Sequence, residues 1–225
     1  MIFRSLNLLY SFLFVLLLAG CASYGVIENE SMTGQAPFEE YSIRSRIATR
    51  TNSDMSMSLS FSGGGTRAAA LAYGVMLELR DTMVTINGEP SRLLDQVDSI
   101  SSVSGGSFTA AYYGLHGDGL FETFEDVFLR YDIEKHLVQQ VLNPFHWFGK
   151  KGRTERAIEY YQKKIFHNAT YADMMKPGSP LIIINASDLA WGVRFSFVQE
   201  YFDLLCSDLL FSALILSDLL CSDLI

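Results

Sequence analysis

Cysteine is scarce in this chain: 225 residues contain only Cys21, Cys206 and Cys221. The count is odd and no C-x-x-C pair occurs, so the sequence points to neither a disulfide framework nor a thiolate zinc site. Cations are also few. Seventeen Lys and Arg stand against 25 Asp and Glu, giving a formal net charge of -8 and a pI near 5.0. A polyanion partner requires clustered Lys and Arg to neutralise phosphates, so nucleic acid is excluded as a partner class. The apolar stretch Leu8 to Leu18 falls short of the roughly 20 residues that cross a bilayer. What the chain does have is 49% hydrophobic against 19% charged content, enough to build one compact domain.

Arg4 followed by the apolar stretch reads as a secretory signal, and Ala19 and Gly20 before Cys21 suit a signal peptidase cleft. Leu18-Ala19-Gly20-Cys21 resembles the bacterial lipobox, in which the cysteine thiol receives diacylglycerol and becomes the first mature residue. The alternative is an ordinary signal peptide with an incidental cysteine. Each buried methylene of an acyl anchor contributes about 0.8 kcal/mol, so chains on Cys21 would hold the protein on a membrane surface without spanning it. The resulting expectation is a signal peptide over 1–20 and a lipidated tether over 21–54 that turns into the domain edge. With Ala22 rather than Asp after the cysteine, similarity to sorted lipoproteins implies the outer membrane of a bacterial envelope.

Met55, Met57, Leu59 and Phe61 alternate with Ser56, Ser58, Ser60 and Ser62, the period of a strand. After three glycines, TRAAALAYGVMLELRDT is free of Pro and rich in helix formers, predicting a helix that ends near Thr82. The same order then repeats. VDSISSV reads as a strand, Ser104-Gly105-Gly106 as a turn and SFTAAYYGL as a helix. Two further helices around a loop are expected between Leu120 and about Phe166. The apolar run PLIIINA has the profile of a strand buried on both faces at the centre of the sheet. The expected domain is therefore α/β and covers 55–209. Beyond it, Asp203–Leu209 recurs unchanged as Asp218–Leu224, and 210–225 is expected to be an aberrant low-complexity tail on a domain truncated at its C-terminus.

Chemistry points to the two glycine turns. Ser104 lies in Ser102-Val103-Ser104-Gly105-Gly106, close to the G-x-S-x-G nucleophile elbow, with Ser102 in the first glycine position. The elbow holds its serine in a strained backbone, so its neighbours must be small, and the following helix aims free amides at a developing oxyanion. A plain turn or helix cap has the same residue types. In Phe61-Ser62-Gly63-Gly64-Gly65-Thr66-Arg67, consecutive residues without side chains precede a helix, so several amides can converge on a phosphate or on an oxyanion. A P-loop would need a Gly-Lys-Ser/Thr ending, and a dinucleotide fingerprint would need glycine where Ala68 stands. Arg67 is either an anion-balancing cation or a helix-surface residue.

Together these segments resemble the patatin-like phospholipases. In that family a first strand ends in a G-G-G-x-[KR]-G oxyanion loop, here Gly63-Gly64-Gly65-Thr66-Arg67-Ala68, and a second ends in the elbow, here Ser102 through Gly106. The likeness spans roughly Met57 to Ala186, and each departure replaces a glycine by a small residue. It implies a three-layer fold with a mostly parallel sheet, a serine acyl-enzyme on Ser104, lipid or phospholipid acyl esters as substrates and no cofactor.

The family's base is an Asp in a D-G-[GA] motif well downstream of the elbow. The one Asp-Gly here, Asp118-Gly119, comes too early and suits a turn, and Asp188 lacks the following glycines. No partner Asp is identified. Two alternatives follow. One is a Ser-His-Asp esterase of the α/β-hydrolase type drawing on His116, His136, His146 or His167. The other is a catalytically dead lipoprotein that binds lipid.

Overall fold

The computed structural model describes residues 41–45, 55–131, 153–188 and 193–204. Serine alternation makes β1 (Met57–Phe61) a strand with Ser58 and Ser60 exposed and Met57, Leu59 and Phe61 against the core. It lies parallel to β4 (Val97–Val103), and β4 lies parallel to β5 (Leu181–Asp188). A fourth strand, β6 (Val193–Phe197), runs antiparallel to β5, giving the order β1-β4-β5-β6. The sheet is mostly parallel, as the resemblance implies. Leu181, Ile182 and Ile184 are buried, which is why β5 carries a continuous apolar run between two neighbouring strands.

Between β1 and β4 the chain forms helix α1 (Gly65–Asp81) and a hairpin of β2 (Met83–Ile86) and β3 (Glu89–Arg92). The helix ends where the sequence places its end, with Thr82 as the cap. No element is expected from the sequence analysis at 83–92, and the hairpin is a finding of the structure. Its turn residues Asn87 and Gly88 have φ of 51° and 85°, the two positive values that a tight two-residue hairpin turn requires. The Leu93 amide donates to the Thr82 carbonyl (2.8 Å) and closes the hairpin's base.

Helix α2 (Gly105–His116) crosses from β4 toward β5 and is buried from Gly105 to Leu115. A helix enclosed on all sides is apolar or small all round, and this one carries Gly, Ala, Ser and Thr where neighbours come closest. At Gly114 a β-carbon would stand 2.6 Å from Ile182 Cγ1 and 3.0 Å from Met174 Sδ, so glycine sets how near α2 lies to the sheet. Thr109 Oγ1 donates to the Ala69 carbonyl (2.9 Å) and ties α2 to α1.

The segment expected as one helix from Leu120 is, within the described residues, a short helix α3 (Leu120–Phe124) that widens into a π turn at Glu125–Leu129. Phe108 of α2 stacks on Phe128 (4.5 Å between centroids) and meets Tyr161 of α4 (Arg153–Lys164) at 4.9 Å. A last helix, α5 (Gln199–Leu204), follows β6. Of the stretch 21–54, residues 41–45 are described and pack at the domain edge. Tyr41 is 1% exposed, its hydroxyl accepts the Ile182 amide (2.7 Å) and donates to Met174 Sδ (3.6 Å), and its carbonyl accepts the Gln199 amide. Scattered aromatics in a polar stretch have no period to show which of them is buried. The signal segment, Cys21 and the tail 210–225 lie outside the described residues.

Candidate active site

Strand β4 ends at Val103, and the chain turns at Ser104 with φ 50° and ψ -129° before α2 begins at Gly105. A side chain at positive φ outside the left-handed helical well costs about 1–3 kcal/mol and persists only where surroundings over-determine it. Here the surroundings are glycine backbone. A β-carbon on Gly106 would lie 2.7 Å from both Phe61 Cβ and the Ser62 carbonyl oxygen. One on Gly105 would overlap the Gly65 carbonyl oxygen and sit 2.7 Å from its carbon. The start of α2 therefore packs backbone to backbone against the loop after β1, and side chains at these two positions would hold the turns apart.

The loop itself is formed by Ser62, Gly63 and Gly64, with φ of 138° at Gly64 and 61° at Gly65. A β-carbon on Gly63 would lie 3.1 Å from Ser104 Cβ and 3.6 Å from Ser104 Oγ. The two turns found separately in the sequence thus form one site, at the C-terminal ends of adjacent parallel strands. That is where open α/β sheets place their ligands. Helices α1 and α2 both begin there, and neither has a carboxylate in its first turn, so their positive ends act on the site unopposed by side chains of that turn. At the far end of α2, Lys176 Nζ donates to the Leu115 carbonyl and offsets the helix's negative end. Arg67 is exposed in the first turn of α1.

Ser102, in the family's first glycine position, is 1% exposed and donates through Oγ to the Ile183 carbonyl of β5 (3.3 Å). The site thus accepts a hydroxyl where the family has no side chain. Asn185, opposite Val103 in the β5 register, donates to the Ser102 carbonyl (2.9 Å) and to Ser101 Oγ (3.0 Å). Its Oδ1 accepts Ser196 Oγ of β6 (2.7 Å). Nothing in the sequence analysis singles out Asn185, since an amide within an apolar strand reads as the strand's polar end.

Asp118, His116 and His167 stand away from Ser104. Asp118 follows α2, whose 12 residues place it about 18 Å along the axis from Ser104, and it is ion-paired with Arg92 at 2.6 Å. Asp188 closes β5, three residues past Asn185. His116 ends α2, the end away from Ser104, and meets the Tyr112 ring at a tilt (4.3 Å between centroids). His167 is exposed in the turn after α4 and acts electrostatically on His116. His136 and His146 lie outside the described residues. Among the described residues no group of three or more His, Cys, Asp or Glu could hold a metal ion, and no helix is long and apolar enough to cross a membrane.

Burial holds the His116 imidazole below its ordinary pKa of 6.5, with Lys176 and His167 adding to the shift. The folded chain therefore favours the neutral ring, while the unfolded chain takes up a proton below pH 6.5. His116 contributes no pH dependence well above that value and destabilises the fold as pH falls through it. The melting temperature of a His116→Gln variant should decline less between about pH 7 and 5 than that of the natural chain. Parallel declines would show that His116 does not carry this linkage.

A family model described as Patatin-like phospholipase matches residues 59–177, a stretch that opens in β1 and contains both glycine turns. No curated protein and no solved structure matches the chain.

Proposed function

The chain belongs to the patatin-like phospholipase family, and from that premise we propose that it is a membrane-anchored serine lipid acyl hydrolase with Ser104 as nucleophile. Ser104 Oγ attacks the ester carbonyl carbon, and its proton passes to a base. The carbonyl oxygen gains the negative charge and is met by amides of Gly63, Gly64 and Gly65 and of the α2 N-terminus. Collapse of the tetrahedral intermediate breaks the ester bond and returns a proton to the departing alcohol, a lysolipid where the substrate is a phospholipid. Water then attacks the acyl-serine, releasing the fatty acid and restoring the hydroxyl. Arg67, exposed beside the loop, balances the charge of an anionic head group.

The observation that carries this reading is the packing of Gly63 against Ser104 while Ser104 holds φ 50°. A simple helix cap needs neither the strain nor the facing glycine backbone. The test is capture of the full chain by a fluorophosphonate probe, with the modified peptide mapped by mass spectrometry, alongside hydrolysis of phospholipid vesicles. Modification at Ser104 with fatty acid release supports the proposal, and a folded protein modified elsewhere or not at all overturns it.

A second reading, a lipid-binding lipoprotein without turnover, is favoured by one observation. Asp118, the carboxylate of the chain's one Asp-Gly, is committed to Arg92 at the far end of α2. General-base assistance is typically worth about 10²–10⁴-fold, so a chain lacking its base would bind vesicles while releasing fatty acid at that lower rate.

Anchoring rests on Cys21. Metabolic labelling with a palmitate probe should mark the protein and should be abolished by Cys21→Ser, with the label in outer-membrane fractions. Equal labelling of the variant would exclude lipidation at this cysteine, and recovery only with the inner membrane would refute the localisation.

A further inference from the structure

Two polar side chains on β5 and β6 have no part in the mechanism above, yet they are buried where the sheet meets the elbow. Asn185 is 9% exposed and Ser196 is 4% exposed. A buried primary amide is costly unless its donors and acceptor are met, so its presence within PLIIINA calls for a physical reason. Its orientation is fixed by its partners. The Ser102 carbonyl can only accept, so Nδ2 must face it, and Oδ1 then receives the Ser196 hydroxyl. Nδ2 also lies 3.4 Å from the Ile183 carbonyl.

We propose that Asn185 is a positioning residue for Ser104, anchoring the Ser102 carbonyl near the end of β4 to β5 and β6 so that the serine is held in its strained conformation. The inference rests on the assignment of Ser104 as nucleophile. Ser102 is two residues before Ser104, and the strand leaves the sheet immediately after Val103, the register partner of Asn185. At that point the ladder no longer restrains the chain, and strain at Ser104 would relax by withdrawing the β4 end from the glycine loop. The amide opposes this from one side through Ser102 O and Ser101 Oγ, while the Ser102 hydroxyl adds a bond to the Ile183 carbonyl. Ser196 in turn prevents the amide from rotating. Asn185 reaches none of the reacting atoms and acts through β4 alone.

Asn185→Asp keeps the shape and the acceptor for Ser196 but removes the donor to Ser102, whereas Asn185→Leu keeps the volume and removes both. The experiment measures, on the purified full chain, the second-order rate of fluorophosphonate capture at Ser104, kcat and KM for a soluble acyl ester, and the melting temperature. Displacements near 1 Å at a reacting group cost on the order of 100-fold. Capture and kcat should therefore fall about 10–100-fold in both variants at temperatures where they remain folded, with KM changed less than about twofold. A purely structural role would lower the melting temperature and leave the capture rate of the folded fraction at the natural value, and that result would overturn the proposal. Should either variant fail to fold, the other carries the comparison. Absence of capture in the natural chain would overturn the nucleophile assignment itself and this inference with it, a result distinct from equal capture in all three proteins.

Discussion

Ser104→Ala is expected to reduce acyl-ester turnover by on the order of 10⁴–10⁶-fold, with binding of lipid vesicles retained. In the proposed mechanism this hydroxyl forms the new bond, and the other two serines of the elbow and early α2 are not placed to replace it. Ser102 is buried with its Oγ committed to Ile183, and Ser107 sits one helical turn into α2 at 0% exposure. Removing one oxygen from a residue that is 8% exposed leaves the backbone intact, so the melting temperature should move little. The strained φ of 50° is unchanged by the substitution, since alanine and serine carry the same β-carbon. Loss of turnover at constant stability would separate chemistry from folding. A variant retaining even a tenth of the activity would mean that the acyl transfer proceeds elsewhere.

The second large effect concerns stability. Gly105→Ala should destabilise the domain by about 3 kcal/mol, because the new methyl would overlap the Gly65 carbonyl oxygen, a backbone atom that moves only with its turn. For a domain of this size that corresponds to a melting temperature lower by roughly 6–12 °C. Gly65→Ala is the informative partner. Its β-carbon would meet nothing within 4 Å, so the cost there comes only from the φ of 61° and should be about 1–2 kcal/mol. Both glycines lie in the same pair of turns, but one excludes a side chain by contact and the other only by conformation. Chemical denaturation of both variants measures the difference, and equal losses would show that the backbone contact at Gly105 is not close.

Much of the fold was legible where a single period or a small set of residue types determines the structure. Serine alternation marked β1, the apolar run marked β5, and helix formers without Pro placed the end of α1 at Thr82. The glycine turns were legible as turns, but only the structure brings Gly63 against Ser104, because parallel strands adjacent in space are distant in sequence. The β2–β3 hairpin went unrecognised although Asn87-Gly88 is a strong hairpin signal. Its four-residue strands, one of them containing Pro90, are too short to establish a period. Strand β6 alternates Arg194 and Ser196 with Phe195 and Phe197, but five residues are too few for that period to stand out in the sequence. The π turn at Glu125–Leu129 has no sequence signature, since its residues would equally continue an α-helix. Asn185 illustrates the general limit. A polar residue in a strand reveals its purpose only when the carbonyl it serves is known.

The pairing of β4 with β5 also has a kinetic side. Met57 pairs with Val97 across about 40 residues, and Ser99 pairs with Leu181 across about 80, so the second closure must order a much longer loop before it is rewarded. The α1–hairpin–β4 unit can assemble from comparatively local contacts, whereas β5 arrives late and brings Asn185 with it. Until it docks, one hydrogen-bonding edge of β4 is open to any other strand, including one from a second chain. A refolding intermediate should therefore hold α1 and the hairpin protected from hydrogen exchange while the elbow still exchanges freely. Association between chains during folding should compete with the same step that completes the Ser104 turn.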